Sequence, residues 1–176
     1  LSSRMPPPDG RLVVVWPETA ITDIHFDRHP GRRSLAARML PPGGVLIPGA
    51  LRAVDGPGHR QLPANSLFAL DADGRILAVY DKAHLVPFGE YLPLRPVFEA
   101  LGLSKLTPGS LDIQSGRMVR HIDLPDLPAI SPLICYEIIF PGMVAADQPR
   151  PDLLVNITND AWFGLTTGPH QHFAQA

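Results

Sequence analysis

A single cysteine in 176 residues excludes an intrachain disulfide. Cys135 is therefore either a small buried hydrophobe or a working thiol. Charge is also scarce. Charged side chains make up 18% of the chain, with 15 Lys and Arg against 17 Asp and Glu, for a formal net charge of -2. There is no basic excess to meet nucleic acid, and no acidic block to act as a solvating tail. Long apolar runs are missing: the nearest, Leu127 to Ala146, is broken by Pro128, Pro132 and Pro141 and carries Glu137, so it does not read as a membrane helix. The opening Leu1-Ser2-Ser3-Arg4-Met5-Pro6-Pro7-Pro8 has no apolar h-region, so no signal peptide is expected there. His84, His170 and His172 fall at no zinc-like spacing with Cys135, and no metal is expected.

Proline and glycine are plentiful, at 21 and 15 residues, and predict many turns and shaped loops around the regular elements. The apolar share of 45% and the length suffice for one domain with a sizeable core. Leu12–Trp16 is a continuous β-branched apolar run that suits a strand buried on both faces, ended by Pro17. Gly31–Leu40 reads as a short helix with Leu35, Ala36 and Met39 on its apolar side. Val45–Ile47 reads as a second buried strand, stopped by Pro48-Gly49. Ser66–Leu70 and Ile76–Tyr80 read as strands joined by the turn Asp71-Ala72-Asp73-Gly74, where Gly74 can take positive φ. Val97–Leu101 is a further short helical candidate, and Ile130–Ile134 and Leu153–Ile157 are two more strands. Strands mixed with short helices predict an α/β layered domain.

Polar residues gather where four of these strands end: Glu18, then Asp81 and Lys82, then Cys135, Tyr136 and Glu137, then Asn159 and Asp160. In open α/β sheets, ligands bind outside the carboxyl ends of the strands. If the four strands are parallel neighbours, all four clusters face one crevice. The residue types suit acyl transfer. A thiol has to lose its proton before it attacks a carbonyl, and a neighbouring carboxylate can take that proton. An ammonium group can then hold the oxyanion. Taken singly, Glu18 and Lys82 read more readily as solvated surface residues than as catalytic ones. Glu137 lies in the nearly apolar stretch Leu133–Phe140, where an unpaired carboxylate would be expensive.

Trp16-Pro17-Glu18-Thr19-Ala20, Tyr80-Asp81-Lys82-Ala83-His84-Leu85 and Ile134-Cys135-Tyr136-Glu137 resemble the Glu-Lys-Cys triad of the nitrilase, or carbon-nitrogen hydrolase, superfamily. His84-Leu85-Val86-Pro87-Phe88-Gly89-Glu90-Tyr91-Leu92-Pro93, Asn159-Asp160-Ala161-Trp162-Phe163-Gly164 and Gly168-Pro169-His170-Gln171-His172-Phe173 narrow the resemblance to the apolipoprotein N-acyltransferases. It runs from about Leu12 to the end of the chain.

The resemblance implies a nitrilase-like α-β-β-α sandwich on the periplasmic side of the bacterial inner membrane, carried by membrane helices that are not in this chain. The chain, 1–176, is accordingly expected to be a single partial catalytic domain, incomplete at both ends. The implied reaction has two steps. Cys135 takes an acyl chain from a phospholipid as a thioester, and the thioester passes to the N-terminal amine of a diacylglyceryl-cysteine apolipoprotein. Glu18 would be the base, Lys82 the oxyanion partner and Cys135 the nucleophile. Glu90, Tyr136 and Glu137 would support them, and Trp162 and Phe88 would lie at the substrate. No cofactor is implied. Two other readings stay open from the residues: a soluble nitrilase-type amidase hydrolysing a small amide, and an inactive binding domain that retains the motifs.

Overall fold

Pro48 divides one line of chain into two strands, and the larger sheet is organised around that break. The computed structural model describes residues 11–56, 58, 60–94, 112–140, 150–163 and 166–176, with the side chains of Trp162 and Phe163 outside that set. Among the described residues the strands are β1 (Val13–Val15), β2 (Val45–Ile47), β3 (Gly49–Asp55), β4 (Gln61–Asp71), β5 (Ile76–Asp81), β6 (Ile130–Ile134) and β7 (Leu153–Ile157). β4 is long enough, at 11 residues, to pair antiparallel with β2 (Leu46 opposite Leu70) and with β3 (Gly49 opposite Leu67, Asp55 opposite Gln61). Pro48 has no N–H, but its carbonyl accepts the Phe68 N–H at 3.0 Å, so the break stays bonded to β4.

β5 pairs antiparallel with β4, and β1 pairs parallel with β2. β1 and β5 therefore run in the same direction and deliver Glu18 and Lys82 past the same end of the sheet. The β4–β5 connection is the expected tight turn. Gly74 sits at φ +79°, and the Asp71 carboxylate accepts the N–H groups of Asp73 (2.9 Å) and Arg75 (2.8 Å).

β6 and β7 form a separate parallel pair. The period of two along β4 sorts its side chains between two cores. Leu67 and Ala69 join Val45, Ile47 and Tyr80 in packing on Ile130, Ile134, Val155 and Ile157 of the smaller sheet. Phe68 and Leu70 pack the other way, with Leu46, Phe26, Ala37 and Leu40. Phe26 and Phe68 meet edge to face, ring centres 5.6 Å apart, a geometry that adds about 1 kcal/mol beyond the buried area. Helix α1 (Pro30–Ala37) covers this outer face, opened by a proline at its first turn. Helix α2 (Gly168–Gln175) packs on the short 3-10 helices Cys135–Ile139 and Asp160–Phe163 that follow β6 and β7. The result is an α/β sandwich of two sheets, with α1 on the outer face of the larger one and α2 beyond the ends of β6 and β7.

Several expectations need correction. β1 is not buried on both faces: it pairs only with β2 among the described residues, and Val15 is 46% exposed. The four polar-tipped strands are not neighbours in one sheet, since β1 and β5 lie in one and β6 and β7 in the other. Helix α1 buries Ala37, with Leu40 just past its end, and leaves Leu35 exposed, so its inner side is not the one that Leu35 and Met39 suggested. β3 was not anticipated, because Pro48-Gly49 reads as a stop. The helical candidate Val97–Leu101 lies outside the described residues.

Candidate active site

Pro17 ends β1, and the chain turns through Thr19 at φ +50°. This turn lies directly against β3. A Cβ on Gly49 would sit 2.4 Å from the Pro17 carbonyl oxygen and 2.7 Å from the Glu18 Cα, so only glycine lets the two backbones approach this closely. Glu18 is 3% exposed. Its Oε1 accepts from Asn65 Nδ2 at 2.7 Å and from Lys82 Nζ at 3.4 Å, and its Oε2 accepts the Asn159 N–H at 3.1 Å.

Lys82 follows the last residue of β5 and is 1% exposed. The preceding residue, Asp81, is fixed by a two-pronged pair with Arg52 (2.7 and 2.5 Å) and by Ser66 Oγ (2.7 Å), which settles where the lysine leaves the sheet. Lys82 Nζ donates to Glu90 Oε1 at 3.0 Å as well as to Glu18. Glu90 is held in turn by Asn65 Nδ2 at 3.3 Å and by the Val86 N–H at 2.8 Å. Burial works against the lysine's charge, but Glu90 and then Glu18 outweigh it, so its pKa is raised and the ammonium form persists. Removing one member of such a buried ionic group typically costs about 3–5 kcal/mol.

Cys135 follows the end of β6 at φ +54°, a left-handed conformation that costs a non-glycine residue about 1–2 kcal/mol. Strain of this kind persists only where the surroundings impose it. Much of the restraint comes from Glu137, which is 0% exposed. Its Oε2 accepts the Ile134 N–H (2.8 Å), while its Oε1 accepts the Tyr80 hydroxyl (2.8 Å) and the N–H groups of Ala83 (2.8 Å) and His84 (2.9 Å). One carboxylate thus ties the segment after Lys82 to the residue before Cys135.

The thiol itself is pushed up to about 11, by burial first and the charge of Glu18 next. Lys82, the Thr158 hydroxyl and the Tyr136 N–H oppose that rise. At neutral pH the sulfur therefore rests as a thiol beside a carboxylate and an ammonium. Moving its proton to Glu18 would leave the net charge of the group unchanged.

The structure brings the buried Glu18, Lys82 and Cys135 together with the partly buried Glu90, and Glu137 ties the segments that carry Lys82 and Cys135. Tyr136 offers its N–H to the sulfur and packs its ring on Phe140, centres 5.1 Å apart. Phe88 lies on the nearby loop, 38% exposed at φ +62°. The side chain of Trp162 lies outside the described residues. Sequence reasoning missed Asn65, which bridges both glutamates, and Tyr80 as a donor to Glu137. An Asn-Ser pair inside an otherwise apolar strand was the available signal. Thr158 and His172 were also missed: His172 Nε2 lies 3.2 Å from the Cys135 carbonyl oxygen. Among the described residues no group of three or more His, Cys, Asp or Glu is arranged to hold a metal, and no helix is long and apolar enough to cross a membrane.

The family model described as carbon-nitrogen hydrolase matches residues 10–176. Curated relatives named apolipoprotein N-acyltransferase include one from Bradyrhizobium diazoefficiens, 45% identical over 166 residues, and one from Rhodopseudomonas palustris, 43% identical over 166 residues; each alignment covers 93% of this chain and 31% of the relative. The relative from Rhizobium etli is 43% identical over 181 residues, covering all of this chain and 33% of its own. The chain thus spans about a third of the length of these relatives. Among solved structures, a cysteine-to-alanine mutant of the Nesterenkonia AN1 amidase from the nitrilase superfamily matches with TM-score 0.53 at 19% identity, covering 94% of this chain and 59% of that one. A carbon-nitrogen hydrolase from Helicobacter pylori matches with TM-score 0.51 at 16% identity, covering 76% and 38%. These two likenesses concern the fold alone.

Proposed function

The chain belongs to the carbon-nitrogen hydrolase family, and from that premise we propose that it is the catalytic part of an apolipoprotein N-acyltransferase in which Cys135, Glu18 and Lys82 do the chemistry. The observation that carries the reading is the buried group itself: a thiol that feels both Glu18 and Lys82, with Glu90 and Asn65 holding the other two in place. The relatives at 43–45% identity supply the reaction class.

In the first half-reaction the thiol attacks the ester carbonyl carbon of a phospholipid. The S–C bond forms as the proton passes to Glu18, and the carbonyl oxygen becomes an oxyanion beside the Lys82 ammonium. A donor placed at such an oxyanion typically contributes about 3–4 kcal/mol. Collapse breaks the C–O ester bond, Glu18 returns the proton to the departing oxygen, and a thioester and a lysophospholipid remain. In the second half the N-terminal amine of the diacylglyceryl-cysteine attacks the thioester carbon. Its proton goes to Glu18, the C–S bond breaks, and the sulfur regains its proton. Because the thiol rests protonated, Glu18 is needed at the start of each cycle. Glu90 holds Lys82, and Phe88 and Trp162 are assigned to contact with the substrate by their match to the family's motifs.

The setting that goes with this chemistry is the periplasmic side of the inner membrane, with anchoring by segments outside this chain. In the full-length protein, Cys135→Ala should abolish acyl transfer to an apolipoprotein. Glu18→Gln and Lys82→Met should each lower turnover by about 10²–10⁴-fold while the protein stays folded. Near-normal turnover in Cys135→Ala would rule out the covalent route, and a wild-type rate in either other variant would remove that residue from its role.

A further inference from the structure

β4 reaches further than its partner β5. Their pairing runs from Leu70 opposite Ile76 to Ser66 opposite Asp81, and the Lys82 N–H adds one more bond to the Asn65 carbonyl at 2.8 Å. Pro63 lies two residues before Asn65, so its carbonyl points to the same edge of β4. There the donor is no longer β5 but the Gln114 N–H, at 2.8 Å. The segment 113–116 thus takes the edge that β5 leaves. Two more of its N–H groups reach the backbone of the buried polar residues. Ile113 donates to the Glu90 carbonyl at 2.9 Å, and Gly116 donates to the Lys82 carbonyl at 2.9 Å. Lys82 and Glu90 are therefore joined twice. Their side chains meet directly, Nζ to Oε1 at 3.0 Å, and one short segment holds both of their carbonyls.

The segment also lies very close to the end of β5. A Cβ on Gly116 would sit 2.4 Å from the Asp81 carbonyl oxygen and 2.5 Å from the Asp81 Cβ. Asp81 has little room to yield, because Arg52 and Ser66 hold its carboxylate. A side chain at position 116 would instead lift the segment off and take the donors to Lys82 and Glu90 with it. We infer that the segment 113–116 is a positioning segment for the Lys82–Glu90 pair, and that Gly116 is the positioning residue that lets it lie against β5. The inference deepens the reading of Lys82 as the oxyanion partner and rests on it. A donor stabilises an oxyanion best when it is in place before the charge develops. The loop 83–89 separates Lys82 from Glu90, and a shift of that loop would carry the Glu90 carboxylate away from the ammonium. Backbone bonds to the residue before the loop and the residue after it remove that freedom.

The test is a stopped-flow burst with para-nitrophenyl butyrate in the full-length protein. Attack by the Cys135 sulfur forms the S–C bond, passes the thiol proton to Glu18 and breaks the ester C–O bond, so each acylated site releases one para-nitrophenolate. The burst amplitude counts competent sites, and its rate constant at saturating ester reports how well each site works. Gly116→Ala should lower the rate constant by about 10–100-fold with the amplitude kept, the scale of loss when a reacting group is misplaced by about 1 Å. Ile113→Pro removes the donor to Glu90 without crowding Asp81, and should lower the rate constant by a smaller factor. Ser115→Ala, at an exposed position of the same segment, should change neither quantity. A segment that only supported the fold would give the opposite pattern: amplitude lost as sites unfold, with an unaltered rate constant at the sites that survive. That pattern, loss of the burst altogether in Gly116→Ala and Ile113→Pro, or an unchanged burst in both, would overturn the inference. Lys82→Met in the same assay tests the reading beneath it. A normal burst in Lys82→Met would remove the oxyanion role and the inference with it, whereas a slow Lys82→Met beside normal Gly116→Ala and Ile113→Pro would overturn the inference alone. The reagent is an activated ester, so the result holds whether or not the natural acyl donor is a phospholipid.

Discussion

Replacing Glu137 by Gln changes one atom of the buried carboxylate and should damage both stability and turnover. The carboxylate accepts four hydrogen bonds and is fully buried. A glutamine amide can keep its oxygen where Oε1 now takes Tyr80, Ala83 and His84. Its NH₂ then faces the Ile134 N–H, donor against donor, and leaving that N–H unmet costs about 1–3 kcal/mol. The three remaining bonds lose their charge and about half their strength. Relief of the buried charge offsets part of this. The net loss is about 3 kcal/mol, which lowers the melting temperature of a domain of this size by roughly 6–12 °C. Thermal unfolding of the full-length protein followed by tryptophan fluorescence measures it. Acyl transfer well below the new midpoint should fall as well, because Ala83 and His84 directly follow Lys82 and Ile134 directly precedes Cys135. A Gln variant with unchanged melting and unchanged turnover would refute the idea that this carboxylate holds the two catalytic turns together.

The Gly49→Ala variant should lose turnover out of proportion to its stability, because the added methyl would meet the Pro17 oxygen at 2.4 Å and push Glu18 away from Asn65 and Lys82; kcat beside the melting temperature checks this, and a normal kcat would contradict it. Alkali should weaken the fold through Cys135. Its folded pKa, about 11, lies above its ordinary 9.0, so the folded state keeps a proton that the unfolded chain releases, and that contribution is intact below pH 9 and is lost as pH rises to about 11. The loss is roughly 1.4 kcal/mol per pH unit across that window. Cys135→Ala should flatten this part of the stability–pH curve, and an unchanged slope would show that the thiol does not titrate as its burial implies.

Glu18, Lys82 and Cys135 were legible because each stands just beyond a short apolar run, where a change from strand to polar residue marks the end of a sheet. Glu137 was legible as a charge in an apolar stretch, though three of its four donors lie in residues 80–84, 53 to 57 positions away, and could not be read from spacing. Apolar character gave β1, β2, β5, β6 and β7 but could not tell an edge strand from a central one, so the exposure of Val15 was missed. Pro48-Gly49 looks like punctuation locally. Pairing with β4 overrides it, and that same pairing brings Gly49 against Glu18 and Asn65 between the two glutamates. His172 is 37 residues from the carbonyl it contacts, a distance only the fold closes.

The most direct test of covalent acyl transfer is the intact mass of the full-length protein after incubation with phospholipid and no apolipoprotein. In the proposed mechanism the thiol attacks first and the amine is needed only afterwards, so withholding the amine should strand the thioester if the site keeps water out. The expected result is a gain of one acyl chain on Cys135, removed by hydroxylamine and absent from Cys135→Ala. Release of free fatty acid with no acylated protein would contradict the account and identify water as the second substrate.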